Sequence, residues 1–159
     1  MADSRDGTRW LTGAEQQTWR SYLRATTLLH SVIESQLQDE AQIPHTYYEI
    51  LVGLSEAAGR ALRMSELAAR SQSSRSRLSH AVSRLAELGW VRRRDCETDK
   101  RGQLAQLTDA GFAALEAAAP GHVTRVRSAL FDALTPTQVE QLREICDAIT
   151  THLDQERDG

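Results

Sequence analysis

Cysteine and long apolar runs are scarce in this sequence, and each scarcity excludes a class of protein. The two cysteines among 159 residues are too few for a disulfide scaffold. Charged residues interrupt every apolar stretch well short of the ~18 residues that a membrane-spanning helix needs. The polar N-terminal residues are not followed by the apolar core of a signal peptide. We therefore expect a cytoplasmic protein with no membrane partner.

Patterns typical of enzymes and metal sites are also lacking. The sequence contains no glycine-rich phosphate loop, no nucleophile elbow and no H-E-x-x-H pair. Its histidines show no tight metal-ligand spacing, although ligands can also converge from distant positions. We predict neither enzymatic activity, nor a cofactor, nor a metal. The five histidines are His30, His45, His80, His122 and His152.

Charge is distributed unevenly along the chain. The net formal charge is −3, which by itself argues against a nucleic-acid partner. Residues 60–101, however, hold eleven basic and five acidic side chains, a formal charge of +6, and the remainder carries −9. A local positive field is what a phosphate backbone selects. The alternative interpretation of this segment is a solvated, arginine-rich face.

The order of predicted elements is typical of a winged helix-turn-helix, a mainly α fold with a small β-hairpin wing (α+β). Two helices flank the turn-favouring run 71–73, and two short strands with alternating apolar residues follow them. The length and the 40% hydrophobic content fit one domain over 1–159, with a DNA-binding lobe over about 44–107. The predicted elements of this part are helices over 13–37, 44–59, 64–70 and 74–88 and strands over 90–93 and 103–107.

The C-terminal third predicts further helices. Thr108 is a favourable N-cap, and Thr135 with Gln138 forms a capping box around the next helix start. Pro120-Gly121 is expected to kink or interrupt the first of these helices.

Apolar stripes recur on the first and last helices, beyond what a winged helix alone needs. We interpret 13–38 and 109–155 as dimerisation helices. The alternative is one larger monomeric core.

The helix over 74–88 has two chemically distinct sides. Leu78, Val82 and Leu85 share the side that packs on a core, whereas short hydroxyls and arginines share the other. Small side chains permit close approach to DNA, and arginine can contact guanine with two hydrogen bonds. The alternative is an ordinary solvated face with capping serines. The predicted DNA contacts of this helix are Ser74, Arg75, Ser76, Arg77, Ser79, His80 and Arg84.

Several runs in the second half of this lobe resemble the MarR family of winged-helix regulators. They are Leu88–Arg93, Asp99–Gly102 and Leu107–Gly111, and the upstream run Arg63–Ala68 also matches. The Asp-x-Arg-Gly signature between two short strands is fairly specific. The resemblance extends over nearly the whole chain, from about 13 to 153.

The resemblance implies a homodimer that places a recognition helix in the major groove and a wing over the minor groove. Arg101 would then enter the minor groove while Asp99 holds the wing in position. An arginine at a hairpin tip also suits a narrow, negative minor groove. The alternative for Asp99 and Arg101 is a surface ion pair of little energetic value. The wing residues predicted to contact DNA are Arg92, Arg93, Arg94, Asp99, Lys100 and Arg101.

The same resemblance implies a repressor that binds an inverted repeat and is released by a small aromatic or phenolic effector. No ligand pocket is visible in the sequence. Aromatic and histidine side chains on segments that can line one are also explained by packing or capping. These candidates are Trp19, His30, His45, Tyr47 and Tyr48.

Two alternatives to this function remain open in the sequence. One is a protein-interaction module that has lost DNA binding. The other is a thiol-based redox sensor, because the arginines around Cys96 can lower the pKa of its thiol. Redox-sensing relatives carry their cysteine in the N-terminal helices, where this sequence has none, and the second cysteine, Cys146, falls on the last helix.

Overall fold

The structure, a computed structural model, describes residues 7–71, 74–96 and 99–158, with only the backbone described for 96, 99–102 and 157–158. Within these residues the fold is mainly helical with one small antiparallel sheet, as predicted. In chain order the elements are α1 Gly13–Ala41, α2 His45–Ser55, a 3-10 turn Ala58–Arg60, β1 Ala61–Arg63, α3 Met64–Arg70, α4 Arg75–Glu87, β2 Val91–Cys96, β3 Asp99–Leu107, α5 Asp109–Ala129, a 3-10 turn Phe131–Ala133 and α6 Pro136–Asp158.

Helix α1 begins at a capping box and ends at a residue in the left-handed conformation. The Thr12 hydroxyl accepts a hydrogen bond from the Glu15 N–H at 3.2 Å, and Glu15 accepts from the Thr12 N–H at 2.7 Å. The helix passes the predicted end at Leu37 and stops where Gln42 adopts a left-handed conformation with φ 55°. The chain then turns at Pro44 into α2, which ends earlier than predicted, at Ser55.

The sheet has the order β1–β3–β2, and both pairings are antiparallel. The hairpin of β2 and β3 confirms the predicted wing, although both strands are longer than the sequence indicates. Strand β1 was not predicted, because three residues are too short to show an alternating pattern. It pairs Leu62 with Ala105, so that the wing is fastened to the segment in front of α3.

The hydrophobic core joins the winged helix to the inner part of α1 and to α5. Leu62 of β1, Leu107 of β3 and Leu115 of α5 are all buried in it. The large side chains that are almost completely inaccessible are Leu37, Ile50, Leu51, Leu54, Leu67, Leu78, Val82 and Leu85. The buried side predicted for α4 is therefore confirmed.

Helix α5 continues through Pro120, so the predicted interruption at Pro120-Gly121 is wrong. A helical proline costs one backbone hydrogen bond, and tertiary packing can compensate for that loss. Here the next residue, Gly121, lies directly against Glu40 and Gln36 of α1, where a β-carbon would collide with both side chains. Both contacting atoms are the far ends of flexible side chains, so Gly121 eases the approach of α1 to α5 without being essential for it.

The start of α5 is fixed to the end of α4. The Thr108 hydroxyl donates to the carbonyls of Gly89 and Trp90 at 2.7 and 3.1 Å and accepts from the Gly111 N–H at 3.0 Å, which confirms the predicted cap. Gly111 itself lies where a β-carbon would collide with the Trp90 carbonyl.

Helix α6 starts at the predicted capping box. The Thr135 N–H donates to Gln138 at 2.9 Å and the Gln138 N–H donates to Thr135 at 3.3 Å. Its apolar stripe is exposed, with Ile145 at 57%, Ile149 at 45% and Leu153 at 50% accessibility. None of the helices in the described part of the chain is long and apolar enough to cross a membrane.

Candidate nucleic-acid interface

The N-terminal half of α4 presents a polar, cationic surface. Ser74 caps the helix by accepting a hydrogen bond from the Arg77 N–H at 3.4 Å, and its hydroxyl lies 3.4 Å from that of Ser76. Arg75, Ser76, Arg77 and His80 are all exposed. Among the described residues, neither the Arg75 nor the Arg77 guanidinium has an ion-pair partner. These side chains are therefore available to a polyanion, in the part of the helix that reaches bases in this motif.

Arg93 of the wing is held against α4. Its Nη2 donates to the Ser79 carbonyl at 2.9 Å, to the Ser79 hydroxyl at 3.1 Å and to the Ser83 hydroxyl at 3.0 Å. The Ser83 hydroxyl in turn donates to the Ser79 carbonyl at 2.9 Å. Sequence reasoning predicted Ser79 and Arg93 as DNA contacts, whereas the structure brings them into contact with each other. The cluster of Arg93, Ser79 and Ser83 ties the first wing strand to the middle of α4, and we call it the brace.

Arg92 and Arg94 point to the other side of β2, because side chains alternate along a strand. Both donate to the Gln106 side chain, from Arg92 Nε at 3.0 Å and from Arg94 Nη1 at 3.3 Å. Gln106 also donates to the Gly59 carbonyl at 3.2 Å. Gln106 was missed by sequence reasoning, although it lies between buried residues of the predicted strand and so had to project from the polar face.

Other arginines of the basic segment have partners within the fold. Arg84 forms an exposed ion pair with Glu87 one turn further along α4. Arg60 pairs with Asp109 at 3.3 Å and lies 3.8 Å above the centre of the Phe112 ring. The charge excess of this segment therefore includes arginines that serve the structure.

The predicted wing-tip contacts Asp99, Lys100 and Arg101 have side chains outside the described residues, so their roles stay predictions.

An open cleft of about 690 Å³ lies between α2, α3 and α5. His45, Tyr48 and His122 line its aromatic side, with the Tyr48 and His122 rings 4.4 Å apart. Glu49 and Arg70 add charges of both signs. A cleft of this size, which joins aromatic ring faces to several polar groups, can hold a small organic ligand.

Burial has changed the chemistry of two of these side chains. It lowers the pKa of His122, as does the charge on His45, whereas Glu49 raises it. Burial also raises the pKa of Tyr48. The His122 Nδ1 is buried and has no hydrogen-bond partner among the described residues.

The predicted pocket residues are only partly brought together. His45 and Tyr48 line the cleft, and the His30 ring lies 5.3 Å from that of His45. Tyr47 is half-buried against the core, and Trp19 stacks on Tyr22 on the exposed side of α1. The cleft residue that sequence reasoning missed is His122. It is an isolated histidine in an alanine-rich helix and carries no sequence signal.

Of the two cysteines, Cys146 is the one whose side chain the structure describes. Cys146 lies exposed on α6, and the Cys96 side chain is outside the described residues.

Comparison with known proteins places the chain among regulators. Residues 41–102 match the model of the MarR family. The transcriptional repressor MprA of Escherichia coli strain K12 is 30% identical over 118 residues, which are 74% of this chain and 66% of that repressor. The chain thus spans about two thirds of that curated relative.

Two solved structures from Streptomyces coelicolor are more similar. Sco3205, a MarR family transcriptional regulator solved in complex with DNA, is 54% identical, with a TM-score of 0.88 over 94% of this chain and 93% of that chain. AbsC, another MarR family transcriptional regulator, is 41% identical, with a TM-score of 0.87 over 93% of this chain and 99% of that chain. The chain therefore belongs to the MarR family of DNA-binding transcriptional regulators.

Proposed function

We propose that this protein is a homodimeric repressor that reads an inverted repeat with α4 and covers the flanking minor groove with the β2–β3 wing. The observation that carries the proposal is the exposed polar set of Arg75, Ser76, Arg77 and His80 on α4, whose two arginines have no ion-pair partner among the described residues. The DNA complex of the 54% identical Sco3205 supports the same function for this chain.

The contacts divide by chemistry into base reading and phosphate binding. Arg75, Ser76, Arg77 and His80 are the base-reading candidates, since they lie on the first turns of α4. The phosphate contacts are assigned to Arg92 and Arg94 on β2, together with Lys100. Phosphate contacts supply affinity that falls with salt, whereas base contacts supply sequence preference.

Exposed apolar faces support a second copy of the chain as partner. Tyr22, Leu23 and Leu28 of α1 are 51%, 42% and 55% accessible, and Ile145 and Ile149 of α6 are similarly open. Exposed apolar side chains on both helices are what an interface between two copies would cover. We assign 13–38 and 109–155 to dimerisation and 44–107 to DNA binding. Two-fold symmetry then predicts half-sites separated by about one helical turn.

The cleft between α2, α3 and α5 is the proposed effector site. It lies between α5, assigned to the dimer, and the α2–α3 part of the DNA-binding lobe. Tyr48 and His122 offer ring faces that suit a small aromatic or phenolic ligand. Arg70, Glu49 and Glu56 offer charged groups for its polar substituents. A ligand bound there is positioned to change the angle between lobe and dimer, and so to lower DNA affinity. The relative MprA is named a transcriptional repressor, which supports repression rather than activation for this chain.

Fluorescence anisotropy tests the DNA-binding proposal. A duplex from upstream of the protein's own gene is titrated beside a scrambled duplex of equal length, each at two salt concentrations. We expect tighter binding to the upstream duplex, with an affinity that falls steeply as salt rises. Absence of binding to either duplex at low salt would contradict the proposal and favour a protein-interaction module.

A further inference from the structure

Three potential metal-ligating side chains converge where α1 meets the start of α2. His30, Glu34 and His45 each offer one ligand atom, and these atoms all lie within 4.8 Å of one another. The imidazoles of His30 and His45 meet edge to face, with ring centres 5.3 Å apart. His30 is exposed, whereas Glu34 and His45 are half-buried.

The fold brings them together through a helix repeat and a tight turn. His30 and Glu34 are four residues apart on α1, so that they lie on the same face of the helix. The left-handed Gln42 and the following Pro44 reverse the chain and place His45 in the first turn of α2, against that face. The sequence spacing from Glu34 to His45 spans this reversal, and for that reason it resembles no metal motif.

A structural role explains part of this arrangement. One oxygen of Glu34 accepts a hydrogen bond from the His45 N–H at 3.0 Å, and thereby caps α2, whose own N-cap residue, Pro44, makes no side-chain cap. Helix capping requires only the carboxylate. It does not explain why two imidazoles border the same carboxylate, and it leaves the second carboxylate oxygen for another partner.

We propose that His30, Glu34 and His45 bind a divalent transition-metal ion, with Zn²⁺ the preferred occupant. Two imidazole nitrogens and one carboxylate oxygen are the donor set that zinc accepts in sites with three protein ligands and an open fourth position. Tetrahedral ligand atoms about 2.1 Å from zinc lie about 3.4 Å apart. The present separations, up to 4.8 Å, require the ligand atoms to close in, and the exposed His30 is free to turn.

The capping hydrogen bond then acquires a second role. By accepting a hydrogen bond from the α2 backbone, the Glu34 carboxylate is held beside the two imidazole rings. Hydrogen-bonded partners of this kind commonly orient the carboxylates and imidazoles of metal sites. The bound ion would link α1 to the first residue of α2. This departs from the sequence prediction of no metal, which considered ligand spacing along the chain.

Direct titration with metal tests the site without DNA. Tag-free, chelator-treated protein carrying Cys146→Ser, which removes the exposed thiol, is titrated with Zn²⁺ against a chromophoric chelator. Co²⁺ absorbance in parallel reports the coordination geometry. His30→Gln, Glu34→Gln and His45→Gln are compared in the same background, with folding checked by circular dichroism. Glu34→Gln retains an oxygen that can accept from the His45 N–H, so it separates metal binding from capping.

The chain offers a matched control in His152→Gln. His152 and Glu156 form a His–Glu pair on α6 with a separation of 3.3 Å and the same four-residue spacing, but outside the three-residue cluster. We expect one Zn²⁺ per chain, a loss of affinity of at least about tenfold in each of the three ligand variants, and no change in His152→Gln. Absence of Zn²⁺ binding by the background protein, or equal affinity in folded Glu34→Gln, would overturn the proposal. Either result is independent of whether the protein binds DNA.

Discussion

Two exposed surfaces of the chain differ in chemistry. The start of α4 is polar and cationic, and its opposite side is locked into the core by Leu78 and Val82, which are 1% and 0% accessible. The outer faces of α1 and α6 are apolar and open, as Ile149 at 45% accessibility shows. The first surface presents cations, whereas the second presents apolar side chains that the proposed second copy would cover. Substitutions at each surface are therefore expected to have separate effects.

The largest effect is expected in the core behind α4. Leu85→Ala removes a completely buried side chain, and a cavity of this kind costs about 2–5 kcal/mol of the free energy of unfolding. Urea unfolding of the variant and of the wild type measures this loss of unfolding free energy. Leu88→Ala, three residues further along and 55% accessible, is the matched control and should be close to neutral. Similar losses in both variants would show that α4 is not anchored as described.

The second largest effect is expected at the apolar face of α6. Ile149→Glu places a charge where the proposed second copy packs, and an unpaired buried charge costs several kcal/mol. We expect predominantly monomeric protein by analytical ultracentrifugation, with the helical circular-dichroism signal retained. Thr151→Glu adds the same charge to an exposed position on the opposite side of α6 and should leave the dimer intact. A dimer that survives Ile149→Glu would place the interface elsewhere.

The third prediction concerns base reading at the other surface. Arg77→Ala should weaken binding to the upstream duplex by about 1–3 kcal/mol, because one bidentate arginine–base contact is lost. Binding to a scrambled duplex should change much less, and the oligomeric state should not change. Anisotropy with both duplexes measures the ratio. Equal weakening on the two duplexes would assign Arg77 to the phosphate backbone instead.

The smallest effect is expected from the brace. It tests whether Arg93 contacts DNA directly or supports the position of the wing. Arg93→Ala removes three hydrogen bonds at an exposed site, and we expect a loss of about 1 kcal/mol of unfolding free energy. Affinity should fall on both duplexes, because the wing is no longer fixed to α4. Ser83→Ala removes only one of the three acceptors and should reproduce part of the stability loss. Unchanged stability in Arg93→Ala would mean that Arg93 serves DNA alone.

The sequence predicted the elements that have long periodic patterns or explicit caps. The helix starts at Gly13 and Pro136 and the buried face of α4 follow from capping residues and from a 3.6-residue period. Strand β1 was missed, because its three residues acquire an extended form only by pairing with β3. Helix α5 continues through Pro120 where it packs against α1, and local helix propensity does not include such tertiary contacts.

The site was predicted in outline but not in its internal contacts. The exposed cations of α4 are visible as a helical face. That Arg93 turns back onto Ser79 and Ser83 depends on how the wing folds over α4, and a list of cationic positions does not reveal it. In the same way, His122 of α5 meets Tyr48 of α2 across 74 positions, and the His30–Glu34–His45 cluster forms across a turn. Residue types at distant positions become neighbours only through the fold.

Footprinting on DNA from upstream of the gene tests most directly whether two copies of this chain present α4 to one duplex. Hydroxyl-radical cleavage is measured with wild-type protein and with Ile149→Glu. We predict two protected half-sites of inverted sequence, separated by about 10 base pairs on one face of the duplex. Protection of both half-sites should be lost together in the variant. A single protected half-site, or a footprint that is unchanged in a monomeric variant, would contradict this prediction.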